Sequence, residues 1–269
     1  MNLTYINFPS LSAPASDFHP ELVRLDARFA SPLSGTVQDL LRPGAHFAAA
    51  MSWKVMEYAD SQLLSAWAVQ MAKAGVRSFI VDPAYKMRGS GAGAPAVNGA
   101  GQTGTALITN GWTASQSNVL MAGDLFQVCT GTITFTTAPA NTDPVTFTDC
   151  NGNSHQIGVG NGIVVTFNLP PWFAPNAPVY VNGVLTTAYT TAGIQHQTCR
   201  VVANVSSDSG GNATIEFEPA LRFSPTSGVV LNLNLIGFYM YFAKPSSSAS
   251  YTPPRIAAMS LSMVEDILA

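Results

Sequence analysis

The sequence predicts a mainly β protein that contains a single α-helix. Beyond Ile108, short runs of β-branched and aromatic residues recur to the C-terminus, and Asn-Gly pairs at 110, 151, 161 and 182 separate several of them. This dipeptide favours tight turns between antiparallel strands. Helical spacing of apolar residues is clear in one segment only, residues 60–75. We therefore expect a largely antiparallel β-sandwich or β-barrel with one helix.

The N-terminal part predicts short strands joined by turns. An apolar group at Leu3–Phe8 is followed by a polar bend at Ser16–Pro20. Apolar and charged residues then alternate over Val23–Ala30, which is the pattern of a half-buried strand. The run Ala45–Met56 is compatible with a strand or a helix, and the preceding Pro43-Gly44 together with the helix signal that follows favours a strand.

The predicted helix has start and stop signals. Asp60 suits the N-cap, and Gly75 suits the left-handed position after the C-terminus. Its apolar residues recur every three or four positions: Leu63, Leu64, Trp67, Ala68 and Met71. We interpret this stripe as a packing face. A short buried strand is expected within Arg77–Tyr85, and Asp82-Pro83 ends it.

The rest of the chain contains one clear hairpin and several further strands. In Ala177–Tyr189, Asn182-Gly183 can form a type I′ turn between two β-prone runs. Other strand candidates lie near residues 131, 144, 162, 198 and 213. Residues 88–98, rich in glycine and alanine, and Ser246–Ser250 are expected to be loops, and a second helix is expected, if anywhere, in the last few residues.

The low charge of the sequence favours assembly. Charged residues are 10% of the chain, against roughly 25% in ordinary soluble domains, while 47% of the residues are hydrophobic. Such a surface suits a subunit that buries much of its exterior, and a secreted β protein is the alternative. The net charge of −3 and the lack of a basic run argue against nucleic-acid binding. Neither a signal peptide nor a membrane span is predicted, so we expect cytosolic synthesis.

The stretch GAGQTG, Gly99–Gly104, has the G-x-G-x-x-G spacing of a dinucleotide-binding loop. That chemistry needs a strand before the first glycine and a helix after the last one. The residues that follow, Thr103–Trp112, are β-prone, and Asp124, about 20 residues on, follows a turn. We therefore interpret the stretch as a conformational loop and expect no cofactor.

No catalytic or metal-binding constellation is predicted. The chain has no G-x-S-x-G, and its four histidines stand alone in the sequence. Cys129, Cys150 and Cys199 are expected to be buried and reduced, although a bridge between Cys129 and Cys199 would be open if their strands pair. The acidic pairs, Asp143 with Asp149, Glu216 with Glu218 and Glu265 with Asp266, do not resemble a catalytic dyad, and we expect no enzyme.

One β-rich segment holds a candidate carbohydrate platform. Trp172, Phe173, Tyr180 and Tyr189 lie close together in the sequence. Exposed aromatic rings with polar neighbours are what a sugar site uses. We favour the other interpretation, that these rings fill a small core or an interface.

Several runs resemble the distal tail proteins of long, non-contractile-tailed bacteriophages. They are LLRPGAHFAAAMSW, FIVDPAYKMRGSGAGAPAVNGAGQTGTALITNGW, VLMAGDLFQV and CRVVANVSSDSGGNATIEFEPALR, together with the helix around Trp67. The resemblance implies a tail-tube-like β-sandwich or barrel with one helix that forms a hexameric ring. It would connect the tube protein to the baseplate hub or tail tip, let DNA pass, and be located in the virion. It makes these residues candidates for assembly: Asp82, Pro83, Gly99, Gly101, Gly104 and Asp124.

The resemblance also predicts the domain organisation. In the simplest family pattern AGDLFQV is followed almost directly by CRVVANV, whereas here about 70 residues intervene. We expect a ring-forming domain of residues 1–128 and 199–269, and an inserted peripheral β-module of residues 129–198. A module at a hairpin tip leaves the parent sheet undisturbed. As an alternative function, this module would bind a carbohydrate or a host receptor through Trp172, Tyr180 or Tyr189.

Overall fold

In the residues that the structure describes, the fold consists of four β-sheets and one helix. A computed structural model describes residues 4–9, 11–12, 15, 17–24, 27–30, 37–40, 45–82, 85–148, 154–169, 173, 177–234, 236–242, 247–252 and 256–266. The elements in chain order are β1 Thr4–Asn7, β2 Asp17–Val23, β3 Ala27–Ala30, β4 Val37–Leu40, β5 His46–Glu57, α1 Tyr58–Met71, β6 Val76–Val81, β7 Gly93–Val97, β8 Gly104–Trp112, β9 Leu125–Phe135, β10 Pro144–Thr148, β11 Ser154–Val159, β12 Thr166–Asn168, β13 Val179–Val181, β14 Val184–Thr186, β15 Tyr189–Val201, β16 Ala213–Leu221, β17 Gly237–Tyr241, β18 Ser247–Thr252 and β19 Ile256–Glu265.

The predicted fold class is confirmed. Strands make up 53% of the structure and helix 7%, with a single helix and curled antiparallel sheets. Among the described strand pairs, β1 and β6 are parallel and the others are antiparallel.

The first sheet has seven strands and carries the helix. Its order is β1-β6-β17-β19-β5-β2, and β18 pairs with β19. Its core is aromatic and rich in methionine, and Leu64, Trp67 and Met71 of α1 pack into it together with Trp53 and Phe238. Leu64, Trp67, Ala68 and Met71 of the predicted stripe therefore form a packing face. Leu63 does not belong to it, because its side chain lies on the outer face of the helix and is 52% exposed.

The second sheet has six strands in the order β12-β9-β15-β16-β8-β7. Its own core surrounds Phe126 and Phe217, whose rings meet edge to face with centroids 5.3 Å apart. The two sheets are joined by an ion pair. The guanidinium of Arg222 donates to Glu265, with Nη1–Oε1 and Nη2–Oε2 distances of 3.1 and 2.9 Å, and the amide of Phe47 donates to the same carboxylate. Because Glu265 is 4% exposed, this pair is shielded from solvent.

The remaining sheets are smaller. Strands β11, β10, β13 and β14 form a four-stranded sheet, and β3 and β4 form a two-stranded one. A third core lies between the four-stranded sheet and the outer halves of β9 and β15, and it contains Ile133, Phe147 and Phe173. Strands β9 and β15 are continuous from the second core to the third, with a bulge between Ala192 and Gln195.

Several predicted elements match the observed ones. Strand β5 occupies the ambiguous run at Ala45–Met56, and β6 ends at Val81, directly before Asp82. The hairpin of β13 and β14 turns at Asn182 and Gly183, whose φ angles are +50° and +75°. Each of these features depends on residues adjacent in the sequence, so the local sequence is sufficient to predict the strand, its end or the turn.

The N-terminal prediction is wrong in its boundaries. The expected bend at Ser16–Pro20 lies largely within β2, and the expected strand Val23–Ala30 is split between β2 and β3. Pro20 fits within β2 because β2 is an edge strand, which pairs only with β5 among the described strands. Proline has no amide hydrogen, and an edge strand has one side on which no sheet hydrogen bond is needed.

The observed helix caps also differ from the predicted ones. The N-cap residue is Glu57, and Asp60 lies in the first turn, where its buried carboxylate accepts hydrogen bonds from the amide and hydroxyl of Ser12. The C-cap is Ala72, so Gly75, with φ +82°, lies three residues farther on. At the N-terminal end, the contact with Ser12, which lies outside the helix, holds the Asp60 carboxylate.

Two expected loops are strands. Residues 93–97 form β7, and most of the expected loop Ser246–Ser250 lies in β18. Residues 256–265 form β19, and residues 267–269 at the C-terminus, where a second helix is expected if anywhere, lie outside the described residues. The strand expected near 162 shortens to β12, because the Asn161 side chain accepts hydrogen bonds from the amides of Ile163 and Val164.

Candidate functional site

The glycine-rich loop joins β7 to β8. Gly99, Gly101 and Gly104 have φ angles of +98°, +77° and +82°, which L-residues with side chains rarely adopt. A Cβ atom at any of the three would meet nothing within 4 Å. The glycines are therefore required by the backbone conformation, and the loop faces open space within this chain.

The side chain of Gln102 braces this loop. Its Nε2 shares two hydrogens among the carbonyl oxygens of Asn98, Gly99 and Ile108, which lie at 3.0–3.1 Å, and its Oε1 accepts from the amide of Ile108 at 2.6 Å. The side-chain amide of Gln102 thus makes hydrogen bonds to the backbone on both sides of the loop, as a neighbouring strand would. The loop is an exposed but ordered protrusion.

The loop lacks the surroundings of a dinucleotide site. As the sequence predicts, GAGQTG leads directly into a strand, β8, and β7 pairs with β8 in antiparallel orientation. No helix begins at Gly104, so helical amides are not available there to hold a pyrophosphate.

Asp124 anchors the other end of the β7–β8 hairpin. Its buried carboxylate accepts hydrogen bonds from the amides of Arg88, Gly89 and Met121 at 2.8–2.9 Å. The Arg88 Nε lies 3.8 Å from the same carboxylate. Asp124 therefore fixes the turn before β9 onto the segment before β7.

Asp82 and Asp124 both lie near Tyr85. Both carboxylates act on Tyr85, whose hydroxyl is bonded to the backbone of Leu125. Burial is the main reason that the pKa of Tyr85 is raised to about 12, and the two negative charges add to it. Pro83 lies outside the described residues. The assembly candidates thus occupy two places on the β7–β8 hairpin. The three glycines lie in the loop at its tip, and Asp124 lies at its open end, with Asp82 near the same tyrosine.

The outer face of α1 is uncharged and partly apolar. Tyr58, Leu63 and Val69 are 49%, 52% and 68% exposed. The other exposed positions of the helix are Ala59, Gln62, Ala66 and Gln70. The only charged residue of the helix, Asp60, is buried against Ser12. A surface helix normally shows charge on its outer face, so this face has the character of an interface.

The aromatic candidates are not gathered into an exposed platform in the described residues. Phe173 is fully buried in the third core, and Tyr189 packs against that core with its ring centroid 6.0 Å from that of Phe135. Burial raises the pKa of Tyr189. Tyr180 is half-buried on β13, and Trp172 lies outside the described residues.

A cavity of about 270 Å³ lies beside the third core. Residues 135–140, Asp143, Val181, Thr186 and Ala188 line it. In the sequence, Asp143 stands out only as one member of a pair with Asp149, which lies outside the described residues. The signal that could have singled it out is compositional, because residues 129–198 contain no lysine or arginine.

The described residues show no grouping of three metal-binding side chains. Cys129 and Cys199 are buried free thiols, and burial raises the pKa of both. Their strands do pair, but Cys129 faces His196 and Cys199 faces Phe126. In the described part of the chain, no helix has the length and apolarity needed to cross a membrane. Compared with known proteins, the chain matches no family profile and no curated sequence.

Proposed function

We propose that this chain is a structural subunit that forms a ring at the distal end of the tail tube of a long, non-contractile-tailed bacteriophage. The ring would be hexameric, would connect the tube protein to the baseplate hub or tail tip, and would let DNA pass through its lumen. The family role rests on the sequence runs quoted above. The physical support for self-assembly comes from the surface of the molecule.

The uncharged outer face of α1 carries this proposal. Leu63 and Val69 each leave more than half of the side chain in water, and no charged side chain of the helix accompanies them. Exposed apolar surface of this kind is stabilised when another subunit covers it, at roughly 25 cal/mol per Å² buried. The low charge of the whole chain is consistent with burial of such surface between copies.

The braced glycine loop supports the same function. It is exposed, carries no charge from Gly99 to Gly104, and is held in one conformation by Gln102. A loop that is already ordered loses little conformational entropy when a neighbouring copy covers it. The net charge of −3 is also compatible with a lumen that repels the DNA backbone.

The test is the oligomeric state of the purified full chain. We expect negative-stain class averages to show closed rings, and light scattering to give a multiple of the 28.3 kDa subunit mass. The double variant Leu63→Lys with Val69→Lys should be a folded monomer, because it places charge in the interface. Val184→Lys, at a valine that is 69% exposed on β14, is the matched control and should form rings.

Two outcomes contradict the proposal. One is a wild-type chain that stays monomeric at the highest concentration at which it remains soluble. The other is a ring that survives the double lysine variant. For the loop, Gly101→Val introduces a β-branched residue at φ +77°, and intact rings in this variant would exclude a role of the loop in assembly.

A further inference from the structure

Asp143 is the one residue with an ionisable side chain among those that line the cavity of about 270 Å³ beside the third core. Within the described part of the chain, no hydrogen bond or ion pair reaches its half-buried carboxylate. Residues 129–198 contain no lysine or arginine that could neutralise it. The cavity therefore presents an unpaired negative charge to whatever enters it.

The other polar groups of the cavity are already partly used. The hydroxyl of Thr136 donates to the carbonyl oxygen of Ala188 at 3.2 Å, and the hydroxyl of Thr186 accepts from the amide of the same residue at 3.2 Å. A polyhydroxylated ligand needs several polar partners, whereas a ligand with one cationic head needs one. Apart from Thr137, the remaining side chains of the lining are apolar, and they include Phe135, Ala138 and Pro139.

The shape of the cavity is fixed by backbone contacts behind its wall. The amide of Gly162 donates to Pro139, and Gly160 exchanges backbone hydrogen bonds with Thr142 and Asp143. A Cβ atom on Gly160 would overlap the carbonyl oxygen of Ala140 and the ring of Pro139. The wall is thus pressed against residue 160 and cannot collapse inwards without breaking these contacts.

The residue before Asp143 is conformationally strained. Thr142 has φ +72°, a region in which a β-branched residue is an outlier. Such strain persists only where the surrounding structure imposes it, and it is frequent at ligand sites. The conformation of Thr142 sets the direction in which the chain passes through Asp143 into β10.

We propose that this cavity binds the side chain of a lysine from a protein partner, with the ammonium group paired to Asp143 and the methylene chain against the apolar wall. A compact ammonium on a flexible aliphatic stem matches a small cavity with one carboxylate. This binding is separate from ring formation and requires no covalent step. The proposed contact lies in residues 129–198, the expected peripheral module, and is based on charge complementarity between the ammonium group and Asp143.

The test uses saturation-transfer-difference NMR on the full chain, which detects weak ligands whether the chain is monomeric or assembled. The probe is Nα-acetyl-lysine N-methylamide, and Nα-acetyl-norleucine N-methylamide is its uncharged counterpart. We expect saturation of the lysine methylenes and binding of norleucine that is weaker by at least about tenfold. Methyl glucosaminide is included as an amino sugar.

Two variants locate the binding. Asp143→Asn should weaken lysine binding by at least about tenfold and leave the fold intact, because the carboxylate has no partner to lose. Ala138→Leu keeps the carboxylate but fills the cavity, and it should also abolish the signal. Glu216→Gln, which neutralises an exposed carboxylate on β16, is the matched control and should bind like the wild type.

Any of four results overturns the proposal. They are no signal from the lysine probe, an equal signal from norleucine, binding by the amino sugar alone, and lysine binding that survives both Asp143→Asn and Ala138→Leu. Thermal unfolding of each variant confirms that it is folded. A chain that forms no rings can still pass this test, so failure of the ring proposal is distinguished from failure of this one.

Discussion

The hydroxyl of Tyr85 closes a hydrogen-bonded ring with the backbone of Leu125. It donates to the carbonyl oxygen of Leu125 and accepts from its amide, each at 2.9 Å. Leu125 is the first residue of β9 and packs into the core of the first sheet, although β9 itself belongs to the second. Tyr85 lies in the segment that leads from β6 of the first sheet to β7 of the second, so its bonds to Leu125 attach this segment to the start of β9.

Tyr85→Phe is expected to destabilise the protein by about 1–3 kcal/mol, because a donor and an acceptor of Leu125 lose their partner together. Urea unfolding followed by tryptophan fluorescence measures the change. Tyr189→Phe is the control, since its hydroxyl lies 3.5 Å from the carbonyl oxygen of Ala177 and makes at most a weak bond. Equal losses in the two variants would show that the hydrogen bonds to Leu125 contribute nothing specific.

The same tyrosine predicts a dependence of stability on alkaline pH. Its pKa is raised from 10.0 to about 12, chiefly by burial, so the folded state favours the protonated phenol. This contribution is present below pH 10 and is lost as the pH rises from 10 through 12. The stability difference between wild type and Tyr85→Phe should therefore shrink over this range. A constant difference between pH 9 and pH 12 would contradict the assignment.

Asp124→Asn should cost roughly 2–4 kcal/mol of folding stability. Both carboxylate oxygens of Asp124 accept backbone amides, and replacing either oxygen by an NH2 group sets a donor against a donor. Denaturant unfolding measures the loss. Glu216→Gln, an equivalent change at an exposed site, is expected to be close to neutral. A loss in Asp124→Asn no larger than in this control would refute the anchoring role.

Gln102→Ala should loosen the glycine-rich loop without unfolding the protein. The amide of Ile108 loses its acceptor, and three carbonyl groups lose a donor. Hydrogen exchange of peptides that cover residues 99–108 should accelerate by about tenfold. Thr103→Ala changes the exposed neighbour and should leave exchange unchanged. Unchanged exchange in Gln102→Ala would mean that the glycine turns order the loop by themselves.

The lowered pKa of Asp208 predicts that the protein loses stability in acid. Hydrogen bonds from the backbone and side chain of Asn212, followed by those from Gly210 and Gly211, lower the pKa of Asp208 below its usual value of 3.8. A lowered pKa stabilises the fold above pH 3.8, and this contribution is lost as the pH falls through the lower folded value. The wild type should therefore melt at a higher temperature than Asp208→Ala at pH 7, and the gap should narrow as the pH falls below 3.8. A gap that persists in strong acid would contradict this.

Thr142→Asn should raise the stability by roughly 0.5–1 kcal/mol, because asparagine tolerates the left-handed conformation better than a β-branched residue does. Thermal unfolding measures the gain. Val184→Asn, at an exposed strand position, is the control and should not stabilise. A destabilised Thr142→Asn variant would show that the threonine side chain makes a contribution larger than its strain.

Local signals were sufficient wherever neighbouring residues alone decide the conformation. Adjacent residues alone predict four features: the turn at Asn182-Gly183, the packing face of α1 apart from the exposed Leu63, the end of β6 before Asp82-Pro83, and the strand that follows GAGQTG. In each case steric limits on φ or a helical repeat act over a few positions.

The remaining features depend on partners that are distant in sequence. Pro20 fits into β2 because the tertiary structure makes β2 an edge strand, and residues 256–265 are a strand because β17, β18 and β5 pair with β19. Asp124 and Asp143 look alike in sequence, yet one is surrounded by three backbone amides and the other borders a cavity. The sequence determined the fold class, the single helix and the scarcity of charge. Only the tertiary structure decided which carboxylates are satisfied, because hydrogen bonds and burial arise from contacts between distant parts of the chain.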